Sequence, residues 1–201
     1  MSHQRSQISV VFYLAFLNVL TAFGIDSSLP AFDEIKPDIG LLDGSNKISL
    51  IVTVFLIGIA IGQIISGPFL DRFGRGPSLR FGLIFFILGT LGSLLSQNLL
   101  SILIFRFLWG LGASIPASMR TAVSRDLYSG DEMAKVMSKI MAVFLLGPII
   151  TPLVSELFLS FTSWRIVYLL GVLLAVIAIF WSIKFGETLP PANRRSLNWD
   201  N

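Results

Sequence analysis

The chain has 201 residues, of which 54% are hydrophobic and only 13% charged. Soluble globular domains carry about 25% charged residues, so the composition excludes that class and marks an integral membrane protein. The formal net charge is +3 with no cysteine, which excludes disulfides and thiolate metal sites, and the charges are placed as membrane topology signals rather than as a nucleic-acid face. Residues 1–7 form a polar cytoplasmic leader that holds the one histidine, His3. An inert histidine is the expectation there. A spanning helix needs about 20 mostly apolar residues, and six candidates follow in chain order. The first covers residues 8–32 and contains Asn18 and Asp26. It is longer than a signal-peptide core of about 7–15 residues and lacks a small-residue cleavage site. The second covers 48–70, the third 79–95, and the fourth 99–119 with Arg106 inside it. The third and fourth are separated at Ser96-Gln97-Asn98. The fifth covers 137–161 with Pro148, Pro152 and Glu156, and the sixth covers 164–183. Barrel strands would be about 10 residues long with alternating polarity, so helices are the only fitting element. The domain reading is a leader (1–7), a six-helix transmembrane bundle (8–185) and the start of a flexible cytoplasmic linker (186–201).

Basic residues set the direction. With the N-terminus inside, eleven of the fifteen Lys and Arg fall on cytoplasmic segments: Arg5, Arg72, Arg75, Arg80, Arg120, Arg125, Lys135, Lys139, Lys184, Arg194 and Arg195. Only Lys36, Lys47 and Arg165 fall outside. Both termini are therefore expected on the cytoplasmic side. The acids of the first outer loop, Asp33, Glu34, Asp38 and Asp43, read as a solvated loop, since no calcium-loop spacing is present.

Several polar groups lie inside the apolar runs. Arg106 is the sharpest, because a guanidinium deep in lipid costs at least about 2.5–3.5 kcal/mol on insertion scales. It needs a partner or a wet cavity. Asp26 has two readings: a carboxyl that binds and releases a proton as its surroundings alternate between wet and dry, or a hydrated acid at a helix end. Asn18 lies about 80° from it around the helix at ~100° per residue, so both can line one cavity, or Asn18 can bond a neighbouring helix. Glu156 shares a face with Pro148 and Pro152 and is either a second titratable site or a group reaching the outer headgroups. Gly147-Pro148 frees a backbone carbonyl and bends its helix. Gly58, Gly62 and Ser66 form a small-residue ridge, and the Gly58–Gly62 spacing permits close helix packing.

The most specific stretch is Gly67-Pro68-Phe69-Leu70-Asp71-Arg72-Phe73-Gly74-Arg75-Gly76, directly after the second apolar run. Gly67 is expected to let two helices approach closely, and Gly74 to let the backbone turn where a side chain would clash. Asp71 at a helix C-terminus opposes the helix dipole and calls for a partner. A charge cluster at a helix contact can lock one conformation and release another. The positive-inside rule accounts for Arg72 and Arg75 but not for the acid and the paired glycines.

This decapeptide resembles the loop between helices 2 and 3 of the major facilitator superfamily, matching at Gly67, Leu70, Asp71, Arg72, Gly74 and Arg75 and departing at Gly76, where another basic residue is usual. Arg106 through Ala113 resembles the helix-4 signature, with Trp109 where Gln is common. Trp109 is expected to offer substrate an aromatic surface. Ile25-Asp26-Ser27-Ser28-Leu29-Pro30-Ala31 resembles the helix-1 pattern of the Bcr/CflA drug:proton antiporters. Leu146 to Pro152 resembles the helix-5 Gly-Pro signature of antiporters. Trp164-Arg165-x-x-Tyr168 and Gly186-Glu187-Thr188-Leu189-Pro190 resemble the entry to and exit from helix 6. The resemblance implies one half of the major facilitator fold: six helices in two inverted three-helix repeats. It implies the N-terminal half of a proton-coupled multidrug or small-molecule exporter in the cell inner membrane. The alternatives are a half-transporter acting as a dimer, and a non-transporting scaffold of the same fold. The implied partners are protons, a small lipophilic drug-like substrate, the lipid bilayer and a second six-helix half, with no nucleic acid. A proton gradient stands in place of any cofactor or metal. Asp26, Arg106, Asn18, Trp109 and Glu156 are the implied coupling or cavity residues, and in a lone bundle Arg106 is expected to meet lipid. No Walker A, His-Glu-x-x-His or nucleophile-elbow pattern suggests an enzyme.

Overall fold

The computed structural model describes residues 7–194. Those residues hold seven α-helices in the order α1 (Gln7–Asp26), α2 (Phe32–Asp38), α3 (Leu50–Phe73), α4 (Arg75–Leu95), α5 (Leu99–Leu127), α6 (Gly130–Leu159) and α7 (Trp164–Phe185). Two short 3-10 turns, Asn46–Ser49 and Pro191–Asn193, complete them, and no strand occurs among the described residues. All but α2 are long and apolar enough to cross a membrane, so the chain is a multi-pass membrane protein. His3, Arg5 and Arg195 lie outside the described residues.

The six expected crossings are present, and their ends differ from the expectation. The first does not run to residue 32. It stops at Asp26, where Ser27-Ser28-Leu29-Pro30 turns the chain, and the separate seven-residue α2 follows. Helices α5 and α6 run well past the apolar stretch, to Leu127 and from Gly130. Apolar patterning marks the bilayer, whereas the helix continues through the charged cytoplasmic-type sequence beyond it. At ~1.5 Å per residue, the 29 residues of α5 reach about 44 Å, more than the roughly 30 Å hydrocarbon core. Between α3 and α4 stands one residue, Gly74, with φ 92° and ψ 162°. Side chains rarely adopt that conformation, so the glycine is required by the corner itself.

Helix α5 is the centre of the bundle and packs against α1, α3 and α4. Against α3 the approach is close: a Cβ on Gly58 would lie 2.5 Å from the carbonyl oxygen of Phe107 and 3.1 Å from the Cα of Gly110. The ridge expected at Gly58 and Gly62 therefore faces α5. On the other side α1 packs on α6, where a Cβ on Gly147 would lie 2.8 Å from that of Ala22. The α3–α5 and α1–α6 contacts are the counterparts that two inverted three-helix repeats require.

Burial is uneven. Helix α1 is mostly enclosed, but α6 leaves Leu145, Leu146, Ile149, Ile150, Leu153 and Leu157 exposed, and α3 leaves Ile57, Ile61, Ile64 and Ile65 exposed. Gly67 was expected to serve a close helix contact. It is exposed, and nothing among the described residues lies within 4 Å of where its Cβ would be. The segment after α7 was expected to be a flexible linker. Its first residues are instead folded back: Leu189 is buried, and Glu187 and Thr188 bond the bundle.

Candidate functional site

Two polar centres sit at opposite ends of α5. The first gathers around Arg106, which is fully buried. Its Nη1 donates to the carbonyl oxygen of Gly24 at 2.9 Å, and its Nη2 donates to the hydroxyls of Ser28 and Tyr168. Ser28 and Tyr168 also share a hydrogen bond of 3.1 Å. Gly24 is in the last turn of α1, where unpaired carbonyls make the helix end partly negative and a cation is favoured. The guanidinium carbon lies 4.5 Å from the Trp109 ring centroid and 4.7 Å from that of Tyr168. Aromatic faces attract a desolvated cation by about 2 kcal/mol or more each. No carboxylate bonds Arg106 among the described residues, and its Nε and the Trp109 Nε1 have no acceptor there. The expectation that Arg106 faces lipid in one half is thereby corrected. Helices α1 and α7 close over it, because the α1 end and Tyr168 supply the partners that lipid lacks.

Trp109 is likewise fully buried. It packs edge-on against Phe55, Phe86 and Tyr168, with ring centroids 5.3–5.7 Å apart. It presents no surface to a substrate in this conformation and instead forms the floor under the arginine. Asp26, at the end of α1, is half-buried and has no bonding partner among the described residues. Its neighbours Gly24 and Ser28 are the residues that hold Arg106. Asn18 is buried lower on α1. It donates to the Leu14 carbonyl at 2.9 Å and accepts from Arg120 at 3.5 Å. Asn18 and Asp26 therefore do not share one cavity wall here. Glu156 is exposed on α6, away from both centres, and so is Pro148.

The second centre is the corner between α3 and α4. Arg75 begins α4, and its side chain is only 6% exposed. Its Nη1 donates to Asp71 at 2.6 Å. Its Nε and Nη2 donate to the two carboxylate oxygens of Asp126, on α5, at 2.8 and 3.0 Å. Such two-pronged pairing is the strongest form of charged hydrogen bond. The Glu187 carboxylate takes the backbone N–H groups of Arg75 at 2.9 Å and Gly76 at 3.3 Å, at the positive end of α4. It also takes the N–H groups of Thr188 and Leu189, at 3.0 Å each. Thr188 Oγ1 donates to Asp126 at 3.0 Å. The partner that Asp71 called for is thus Arg75, four residues on. Arg72 is exposed, with its guanidinium carbon 5.3 Å from the Phe73 ring centroid.

Asp126, Glu187, Tyr168 and Arg120 were not singled out as site residues from the sequence. The first two carried one usable signal: each is an acid set among the basic residues of a cytoplasmic-type segment. Outside the spans, Asp38 on α2 accepts from Trp164 Nε1 at 2.8 Å and from Arg165. The indole N–H first, and Arg165 second, hold its carboxyl below the usual carboxylate range.

The sequence profile of the Major Facilitator Superfamily matches residues 14–200. The bicyclomycin resistance protein homolog of Haemophilus influenzae is 34% identical over 187 residues, covering 90% of this chain and 46% of that protein. The chloramphenicol resistance protein of Pseudomonas aeruginosa is 30% identical over 168 residues, covering 83% and 40%. Multidrug resistance protein D of Escherichia coli is 25% identical over 191 residues, covering 94% and 48%. The chain spans about half the length of the curated relatives it matches. Among solved structures, the proton:xylose symporter XylE superposes with a TM-score of 0.81 at 15% identity, over 93% of this chain and 46% of that one. The human organic anion transporter MFSD10 gives 0.72 at 19% identity, over 98% and 52%. At those identities the likeness is one of fold.

Proposed function

The chain belongs to the major facilitator superfamily, and on that footing we propose that it is the N-terminal six-helix half of a proton-coupled exporter of drug-like small molecules. The drug-resistance names of its relatives support that substrate class. The count of basic residues supports a plasma-membrane orientation with both ends of the bundle cytoplasmic. A second six-helix half would cover the apolar faces left exposed on α3 and α6. A second copy of this chain is the alternative cover.

The observation that carries proton coupling is the pairing of deficits at the α1 end. Arg106 is a buried cation without a carboxylate, and Asp26, between the two α1-side residues that hold it, is a carboxylate without a cation. A charge buried unpaired is expensive. An ionised Asp26 is drawn toward Arg106, and a protonated one is free to leave. Proton binding and the conformation of the α1 end are then linked, and exchange of a proton for a substrate follows if each conformation opens to one membrane face. The corner at Gly74 supplies the second element, a charge cluster that holds α3, α4, α5 and the segment after α7 in one arrangement.

Asp26→Asn in the intact transporter tests the reading. The amide cannot titrate, so drug efflux is expected to lose its dependence on the pH gradient while binding of a neutral drug survives. An efflux profile against pH that matches the parent would remove Asp26 from the mechanism and turn attention to Glu156, the other acid set within an apolar run.

A further inference from the structure

At the end of the bundle that carries Gly74, residues of α3, α5 and the start of α4 line a polar recess of about 320 Å³. Gln63, Asp71, Arg75, Ser118, Arg120 and Arg125 line it. Its charges do not cancel. Arg75 is shared between Asp71 and Asp126, so that triad carries one net negative charge. Arg120 and Arg125 have no carboxylate partner among the described residues, so the surroundings of the recess keep a net excess of one positive charge.

The positive-inside rule accounts for basic residues at this end. It does not account for the direction Arg120 takes. Arg125 is exposed, as a topology signal would be. Arg120 is half-buried and turned inward. Its Nη1 lies 3.5 Å from the side-chain oxygen of the buried Asn18 and 3.7 Å from the Met141 sulfur, and its guanidinium carbon is 5.5 Å from the Phe144 ring centroid. It therefore joins α1, α5 and α6 at one point while lining the recess. It also stands nearly on the α5 face of Arg106, fourteen residues away, about 40° around and about 21 Å along the axis. A guanidinium held by one long amide contact, one thioether and one ring keeps most of its five donors unspent.

We propose that this recess binds small organic anions, with Arg120 selecting the charge. A carboxylate would take the free donors of Arg120 in the two-pronged geometry that guanidinium favours. The aromatic or aliphatic remainder would rest against Leu70, Ala117 and Ala122, the apolar residues of the lining. Lipophilic cations are disfavoured by the same unbalanced charge. This names the charge class of the ligand and rests on the exporter reading only in treating that ligand as cargo.

The test uses the 201-residue chain in lipid nanodiscs, with binding of benzoate, benzamide and benzylamine measured by calorimetry without a proton gradient. The three share a ring and differ in charge. Benzoate is expected to bind tightest and benzylamine weakest. Arg120→Gln should weaken benzoate about tenfold to a hundredfold, while Arg120→Lys retains the preference for benzoate. Arg125→Gln, at an exposed position, should weaken it by no more than about fivefold. Equal affinities for the three probes would overturn the proposal, as would benzoate binding untouched by Arg120→Gln. If Arg120→Gln lowers the melting temperature, the Lys variant decides: loss of benzoate preference with a parental melting temperature also refutes it. Benzoate selectivity in a protein whose intact form shows no pH-driven efflux would sink the exporter reading and leave the recess standing.

Discussion

Replacing Gly74 by alanine probes the corner with the smallest change available. Two costs add. The φ of 92° with ψ of 162° lies in a region that non-glycine residues occupy at about 1–3 kcal/mol. The new methyl would also stand 3.0 Å from Arg194 Nη2 and 3.1 Å from the Glu187 carboxyl carbon. Glu187 would have to shift, and with it the acceptor for the N–H groups of Arg75 and Gly76. A charged hydrogen bond is worth about 1.5–3 kcal/mol, so even one lost bond raises the total past about 2.5 kcal/mol. At ~1.4 kcal/mol per decade, the docked corner becomes at least about fiftyfold less populated relative to its open form. Hydrogen exchange of the Arg75 and Gly76 amides reads that population directly, and both should lose protection by at least an order of magnitude. Gly67→Ala is the control: it meets no neighbour among the described residues and should leave those amides unchanged. Under the exporter proposal, Gly74→Val in the intact protein should abolish drug efflux with membrane insertion retained. Parental protection of both amides in Gly74→Ala would refute the account of the corner.

Asp126→Asn removes half of the charge facing Arg75. Arg75 keeps Asp71 as a partner, so the loss is expected near the ~1.5–3 kcal/mol of a charged hydrogen bond, visible as a fall in melting temperature. Asp71→Asn should fall less, since Asp71 is more exposed, yet should stop efflux in the intact protein. A cysteine placed at position 36 of this cysteine-free sequence should react with impermeant reagents from the outer side; labelling only from the cytoplasmic side would invert the topology. Asp38→Asn should loosen the tie between α2 and α7 by only about 0.2–1 kcal/mol, as the site is exposed. Because the folded carboxyl is held below its unfolded value of ~3.9, this contribution is present above about pH 4. It disappears as pH falls through the lowered value, so the parent and Asp38→Asn should converge in stability in strong acid and differ at pH 7.

Hydropathy made the six spans legible because a bilayer imposes one length and one polarity on every crossing. The ends were not legible for the same reason. Residues 120–127 and 130–136 are polar enough to leave the lipid while remaining helical, and no breaker separates the two kinds of sequence. The corner was readable at Gly74 and Asp71 because a local constraint leaves local residues. Its partners were not: Asp126 and Glu187 lie 51 and 112 residues from Arg75, and only tertiary packing brings them there. Arg106 was found by its cost. Its surroundings were misjudged because the α1 end, a backbone feature, supplies part of what a counterion would. Trp109 was read as a surface because a large aromatic beside a buried charge suits both a lining and a floor, and sequence does not separate them.

Arg106 also bears on how the protein responds to membrane voltage. A charge with no bonded anion to travel with it reports any displacement of α5 along the field. Moving one elementary charge across 100 mV is worth about 2.3 kcal/mol, so a tilt that carried Arg106 through a tenth of the field would change the energy by only about 0.2 kcal/mol. The Arg106 charge alone therefore makes a rocking motion of the bundle only weakly sensitive to the membrane potential. Under the proposed exporter cycle, strong voltage dependence would come from charges that cross the whole membrane, the proton and the cargo.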